Sequence, residues 1–112
     1  MCVALHVRFC QLNPNWNRLK EYPCRGLVVT APGEHYDFVS RTFYPHKTIP
    51  EDSVTGVSHC MLAPYWAKRL GKNTFKAYQA SPRGGYVNCT IQQDRVLLSA
   101  KAILYLQGSI FL

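Results

Sequence analysis

The stretch from Glu51 to Trp66, Glu-Asp-Ser-Val-Thr-Gly-Val-Ser-His-Cys-Met-Leu-Ala-Pro-Tyr-Trp, limits the folding options more than any other part of the chain. An acidic pair runs into a Thr-Gly step, a largely apolar segment continues to Leu70, and Gly71-Lys72 stops it. Met61, Leu62, Tyr65, Trp66 and Leu70 recur at i, i+3, i+4 spacing, which predicts a helix over about 55–70. The first turn of such a helix has free backbone N–H groups and a partial positive charge. Thr55-Gly56 lets a small ligand approach those amides closely, so a carboxylate or phosphate can sit there. Asp52 would lie beside it, able to accept or hold a proton. The same residues also describe an ordinary N-cap, because Thr, Asp and Ser are common at helix starts and Gly often marks a turn. The residues alone leave both readings open.

The flanking sequence reads mainly as strands. Residues 2–8 alternate loosely and predict a first strand. Asn13 before Pro14 suits an N-cap and first helical position, with Trp16 and Leu19 as a short apolar stripe, so a short helix is expected over about 14–20, ended by Tyr22-Pro23. Residues 26–31 are a β-branched run bounded by Pro32-Gly33, read as a buried strand and a turn. Residues 36–44 give another strand, and 45–50 a loop. Residues 73–80 alternate, with Phe75 and Ala77 apolar, and turn at 81–85. Residues 86–91, 95–99 and 102–108 read as three more strands, with Gln92, Gln93 and Asp94 as a hairpin turn. About six strands around one nearly all-round apolar helix define an α+β fold, a curved mixed sheet wrapped around a central helix at about 55–70. Pro64 removes a hydrogen bond to the carbonyl of Cys60, so a kink is expected there.

With 112 residues the chain suits one domain. Its 47% hydrophobic content excludes a disordered reading. No run of about 18 apolar residues implies a membrane span, and residues 1–8 lack the pattern of a secretory signal. Net charge is +7 and pI about 9.4, yet the thirteen basic residues are scattered. No Lys/Arg block, RNA-binding signature or zinc-finger spacing is present, so nucleic acid is not the expected partner. Cys2, Cys10, Cys24, Cys60 and Cys89 form no C-x-x-C, which fits free thiols in a reducing cytoplasm. Cys10, Cys60 and Cys89 sit among apolar neighbours and read as core. His35, His46, His59 and the cysteines show no metal-ligand spacing, so no metal is expected.

Arg41-x-Phe43-x-Pro45, the Glu51-to-Trp66 stretch, Leu70-Gly71-Lys72, Gln79-Ala-Ser81-x-Arg83-Gly84-Gly85 and Arg95-Val96 together resemble the second half of the phenazine-biosynthesis PhzF-like family. The resemblance is collinear from about residue 7 onward. It implies a diaminopimelate epimerase-like fold of two pseudo-symmetric lobes, each a curved sheet around a helix, with the active site between them. The chain corresponds to the second lobe alone, with the first lobe expected to be absent.

The activity implied is cofactor-independent proton transfer on a small carboxylate metabolite. Carried over by position, Asp52 is the second-lobe carboxylate that holds substrate or assists proton movement. Thr55, Gly56, Val57, Ser58 and His59 form the implied substrate-binding turn, with the amides of Gly56 and Val57 taking the substrate carboxylate. Two positions depart from the family pattern. Ser53 stands where Pro is usual, and Val57 stands where Ser is usual. Val57 keeps the backbone N–H but loses a hydroxyl.

The first-lobe acid/base carboxylate has no counterpart here, since Glu21, Glu34 and Glu51 match other positions. Two partners follow as expectations: a complementary first lobe, or a second copy meeting the exposed cleft face. A non-catalytic relic or small-anion-binding module is the alternative. Of the remaining polar residues, Glu51 reads as a surface charge, Arg41 as a strand residue needing Asp37 or Asp52 as partner if buried, and Arg83-Gly84-Gly85 as a tight turn or a second anion contact.

Overall fold

The computed structural model describes residues 9–112, so the strand expected over 2–8 lies outside the described residues. In chain order the elements are α1 (Trp16–Lys20), β1 (Leu27–Pro32), β2 (Phe38–Phe43), β3 (Glu51–Asp52), α2 (Gly56–Leu70), β4 (Thr74–Gln79), β5 (Gly85–Gln92) and β6 (Arg95–Ser99). The strands form one mixed six-stranded sheet in the order β1-β2-β4-β5-β6, with β3 also paired to β2. The fold class is α+β, as the sequence implies.

The register decides where the functional residues meet. β2 carries β1 along one edge from Leu27↔Phe43 to Pro32↔Phe38. Its other edge is shared. β4 runs parallel over Phe38↔Ala77 to Ser40↔Gln79, and β3 takes Thr42↔Asp52 and Phe43↔Glu51. Gln79 and Asp52 therefore abut along β2. The parallel β2–β4 pair needs a crossover, and α2 is that crossover.

All six positions of β2 are buried, which explains the weak alternation in its sequence. On one face Phe38 stacks on Trp66 at 5.7 Å and packs on Phe75 at 5.9 Å. Leu62, Ala63, Ala77, Val87 and Cys89 complete that core. Each large side chain enclosed there contributes roughly 1.5–3 kcal/mol. On the other face Phe43 meets Trp16 of α1 edge-on at 5.7 Å. β1, expected to be buried, has Ala31 as its only buried residue and lies at the sheet's edge among the described residues.

α1 starts later than the sequence suggests. Asn15 is the N-cap, its Oδ1 accepting from the Arg18 amide at 3.1 Å, in place of Asn13. α2 follows its expected span with Thr55 at the N-cap and Gly71 at the C-cap, where φ of 65° suits glycine. Pro64 lies inside it and does not end it.

The expectation that α2 is enclosed on all sides does not hold. Ser58, His59, Leu62, Ala63 and Trp66 are buried, whereas Val57, Met61, Tyr65 and Leu70 are exposed. Cys60 and Cys10 are exposed rather than core, and Cys89 is buried, its thiol pushed up to about 11 by burial and by nearby Cys60. The hairpin turn at Gln93-Asp94 is present, with Gln93 at φ 53°. Residues 102–108 form no strand and are exposed. No helix among the described residues is long and apolar enough to cross a membrane.

A candidate anion site at the start of the central helix

Asp52 ends β3, three residues before the α2 cap, and the register sets it against the end of β4. Its Oδ2 accepts from the Thr55 hydroxyl at 2.7 Å. Gln79, fully buried, reaches across from β4. Its Oε1 accepts from the Thr55 amide at 2.8 Å, and its Nε2 donates to the Asp52 carbonyl at 2.9 Å and to Thr55 Oγ1 at 3.1 Å. One side chain thus holds both ends of the 52–55 turn. Ser81 adds a tie, donating to the Ser53 carbonyl at 2.8 Å and accepting from the Gly84 amide at 3.0 Å.

The expected substrate-binding residues divide into two groups. Gly56 and Val57 are exposed at the helix mouth, and with Ser58 they supply the first-turn amides that precede the helical ladder. The side chains of Thr55, Ser58 and His59 turn inward. Thr55 makes no side-chain cap bond, because its hydroxyl is engaged with Asp52 and Gln79. The Ser58 hydroxyl donates to the Thr55 carbonyl at 2.8 Å. His59 is fully buried, with Nδ1 2.8 Å from that carbonyl, so Nδ1 carries the proton. Its Nε2 has no partner among the described residues, and neither do the hydroxyls of Ser40 and Thr42.

Burial holds the His59 pKa below its ordinary value, against the opposing pull of the Thr55 carbonyl. The folded state therefore resists a proton that the unfolded chain accepts below about pH 6.5. Stability from this residue is complete above that pH and declines as acidification proceeds toward the lower folded value. Melting temperatures from pH 7.5 to 5 are expected to fall in the wild type and to fall less steeply in His59→Gln. Parallel slopes would exclude His59 as the source.

A cleft of about 460 Å³ opens beside the helix start, lined by Arg25, Val28, Thr42, Tyr44, Val57 and Met61 among others. It reaches Val57 and Ser58 but not Asp52. Arg83 and Gly84 line a separate cleft with Tyr36 and Tyr86. Among the described residues no cluster of three His, Cys, Asp or Glu side chains is placed to hold a metal ion.

Two participants carried no such role in the sequence reading, where Gln79 was only part of a motif and Glu51 only a surface charge. Gln79 follows Phe75 and Ala77 at spacing two, so its place on the core face was readable as a polar residue on an apolar stripe. Glu51, taken for a surface charge, is the partner of buried Arg41 in place of Asp37 or Asp52, at 2.7 Å and 2.9 Å. Asp37 pairs with Lys72 instead.

Comparison with known proteins identifies relatives of the chain. The family model described as "Phenazine biosynthesis-like protein" matches residues 3–108. An uncharacterized isomerase of Pseudomonas aeruginosa is 48% identical over 101 residues, covering 90% of this chain and 39% of that protein. An uncharacterized isomerase of Halalkalibacterium halodurans is 45% identical over 107 residues, covering 94% and 40%. The crystal structure of a phenazine biosynthesis PhzF family protein from Enterococcus faecalis superposes with a TM-score of 0.82 at 43% identity, covering 93% of this chain and 40% of that one. The chain thus spans about 40% of the length of these relatives. With its sheet, its helix and nearly all of its length matched, the chain belongs to the phenazine biosynthesis-like (PhzF) protein family.

Proposed function

We propose that this chain is one lobe of a PhzF-like isomerase that acts on a small carboxylate metabolite by cofactor-independent proton transfer. The observation that carries the reading is the helix mouth. Gly56 and Val57 open α2 as exposed residues directly after Thr55, whose hydroxyl binds Asp52 and whose turn is held by Gln79. The amides take the substrate carboxylate, and the positive end of α2 favours it. Asp52 Oδ2 is engaged by Thr55, while Oδ1 accepts no hydrogen bond among the described residues and is free to meet a substrate N–H or O–H. General acid–base catalysis also needs an opposing group. A complementary lobe, from a longer chain or a partner, supplies it in this reading, and the reaction runs in the cytoplasm. Three relatives bear the name isomerase, which agrees with this class of chemistry.

Val57 favours a second reading, a lobe that binds small anions without turning them over, because its side chain offers no hydroxyl at the helix mouth.

Solvent deuterium exchange into small acids, with and without an added first lobe, separates the two readings. Exchange is expected only with the added lobe and is expected to be lost in Asp52→Asn, while calorimetry shows that variant binding small carboxylates only a few-fold more weakly. Exchange that persists in Asp52→Asn removes the aspartate from the chemistry. Absence of binding to any small carboxylate removes the site. Gly56→Ala is a useful control, because an added Cβ would meet only Leu98 Cδ1 at 3.6 Å, an ordinary contact.

A further inference from the structure

Ser40 Oγ, Thr42 Oγ1 and His59 Nε2 are buried without a hydrogen-bond partner among the described residues. Their residues are 0%, 1% and 0% exposed. Phe38, Ser40 and Thr42 alternate onto one face of β2. Phe38 sets that face against α2, stacking on Trp66 and lying 6.1 Å from the His59 ring. All three groups therefore belong to one layer between β2 and α2. Their polar neighbours in that layer are satisfied. Thr30, beside Ser40 across the β1–β2 pair, accepts from Trp66 Nε1 at 3.0 Å and donates to the Val39 carbonyl at 2.8 Å. Gln79, beside Ser40 across the β2–β4 pair, is engaged by the 52–55 turn. Buried polar groups of folded proteins are met by protein or by ordered water, because leaving them unmet is costly.

The other nitrogen of His59 has a defined task. Nδ1 donates to the Thr55 carbonyl, to which the Ser58 hydroxyl also donates. That carbonyl belongs to the peptide unit joining Thr55 to Gly56. The unit is trans and planar, so its C=O and N–H point opposite ways. Drawing the carbonyl inward to His59 therefore turns the Gly56 N–H outward, toward the helix mouth. Gln79 holds Thr55 by its amide, and His59 holds it by its carbonyl.

We propose that Ser40, Thr42 and His59 bind an internal water, and that His59, oriented by it, is the positioning residue for the Gly56 amide. A buried water makes about three hydrogen bonds, the number these groups supply. Either hydroxyl can donate or accept, whereas neutral His59 with its proton on Nδ1 leaves Nε2 an acceptor only. The water donates to Nε2, which keeps the proton on Nδ1 and the ring turned to the Thr55 carbonyl. Thr42 and Ser58 also line the cleft beside the helix start, which gives water a way in. The use of the Gly56 amide rests on the anion reading above, whereas the ring, the water and the peptide unit lie inside this lobe.

Nuclear magnetic resonance on the isotope-labelled full chain near neutral pH tests this, with acetate as the probe anion. The wild type is expected to show a protonated Nδ1, an Nε2 that accepts a hydrogen bond, and Overhauser contacts from a long-lived water to Ser40, Thr42 and His59. His59→Phe keeps a ring beside Phe38 and removes Nδ1. It is expected to shift the Thr55 carbonyl and Gly56 amide signals and to weaken acetate binding about ten-fold, the size of one lost hydrogen bond. His59→Asn offers an amide N–H in place of Nδ1, and is expected to bind within about three-fold of wild type. Packing alone predicts the opposite order, because asparagine fills the site less well than phenylalanine. If His59→Phe does not fold, Ser40→Ala decides, with loss of the water contacts and a changed Nε2 signal expected. A wild-type proton on Nε2, no water contact at these residues, or an unmoved Gly56 signal in His59→Phe overturns the proposal. A wild type that ignores acetate while its tautomer, water and Gly56 shifts are as expected sinks the anion reading and supports the positioning role.

Discussion

Replacing Arg41 with methionine is expected to remove about 3–5 kcal/mol of folding stability, the cost of breaking a buried ion pair from one side. Arg41 sits in the middle of β2, and its side chain and that of Glu51 are 8% and 13% exposed. The guanidinium engages both carboxylate oxygens, Nε to Oε1 at 2.7 Å and Nη2 to Oε2 at 2.9 Å. Its Nη1 donates to the carbonyls of Phe9 and Cys10 at 3.2 Å and of Leu12 at 2.7 Å. One side chain thus joins β2, β3 and the segment before α1. Methionine matches much of the volume and satisfies none of these groups, leaving Glu51 charged and half-buried with those carbonyls short of a donor. Since small domains hold about 5–15 kcal/mol in all, the variant should lose a large part of its denaturant midpoint. Arg41→Lys should fall between, because an ammonium cannot match the two-pronged carboxylate and reach the carbonyls together. Pairing Arg41→Met with Glu51→Leu should recover part of the loss, since the stranded charge goes too. A loss under about 1 kcal/mol in Arg41→Met would show that the pair holds little.

The same pair shows where sequence reading stops. α2 was legible because its apolar spacing, its Thr-Gly start and its Gly71 end all agree. β4, β5 and the hairpin to β6 were legible from alternation and turn residues. β3 was not, because two residues, Glu51 and Asp52, carry no periodicity. Its pairing with β2 is what turns Glu51 toward Arg41, and register between distant segments leaves no local mark.

Exposure failed for a different reason. Met61, Tyr65 and Cys60 are apolar and sit in a helical pattern, so they read as core. A pattern reports which side chains avoid water, not whether a neighbouring layer is present to cover them. Residues 102–108 make the same point, with strand-like composition and no partner strand among the described residues. At the candidate site, Asp52, Thr55 and Gly56 lie together in sequence and could be found together. Gln79, 24 residues beyond Thr55, needed the parallel β2–β4 register to arrive.

That remote glutamine carries the second large effect. Gln79→Leu is expected to cost about 2–4 kcal/mol and to abolish measurable small-carboxylate binding, because it strips the Thr55 amide and the Asp52 carbonyl of their buried partner at once. Leucine keeps the apolar fit beside Phe75 and Ala77, so lost packing would not account for the result. Without the clamp, the turn keeps only the 2.7 Å bond between Thr55 and Asp52 and the Ser81 tie to the Ser53 carbonyl, and the carboxylate can move against the helix mouth.

Gln79→Glu sharpens the test. A carboxylate there can still accept from the Thr55 amide but cannot donate to the Asp52 carbonyl, and its charge lies beside Asp52. Burial and that neighbour raise the folded pKa of the substituted carboxyl above its unfolded value. Its protonated form is therefore favoured on folding, so the deficit relative to wild type should shrink as pH falls below about 6 and widen toward pH 8. Denaturant midpoints at those two pH values, beside calorimetry with a small carboxylate, read both consequences. If Gln79→Leu unfolds at the wild-type midpoint and still binds, the turn holds itself, and the helix mouth needs no support from the sheet.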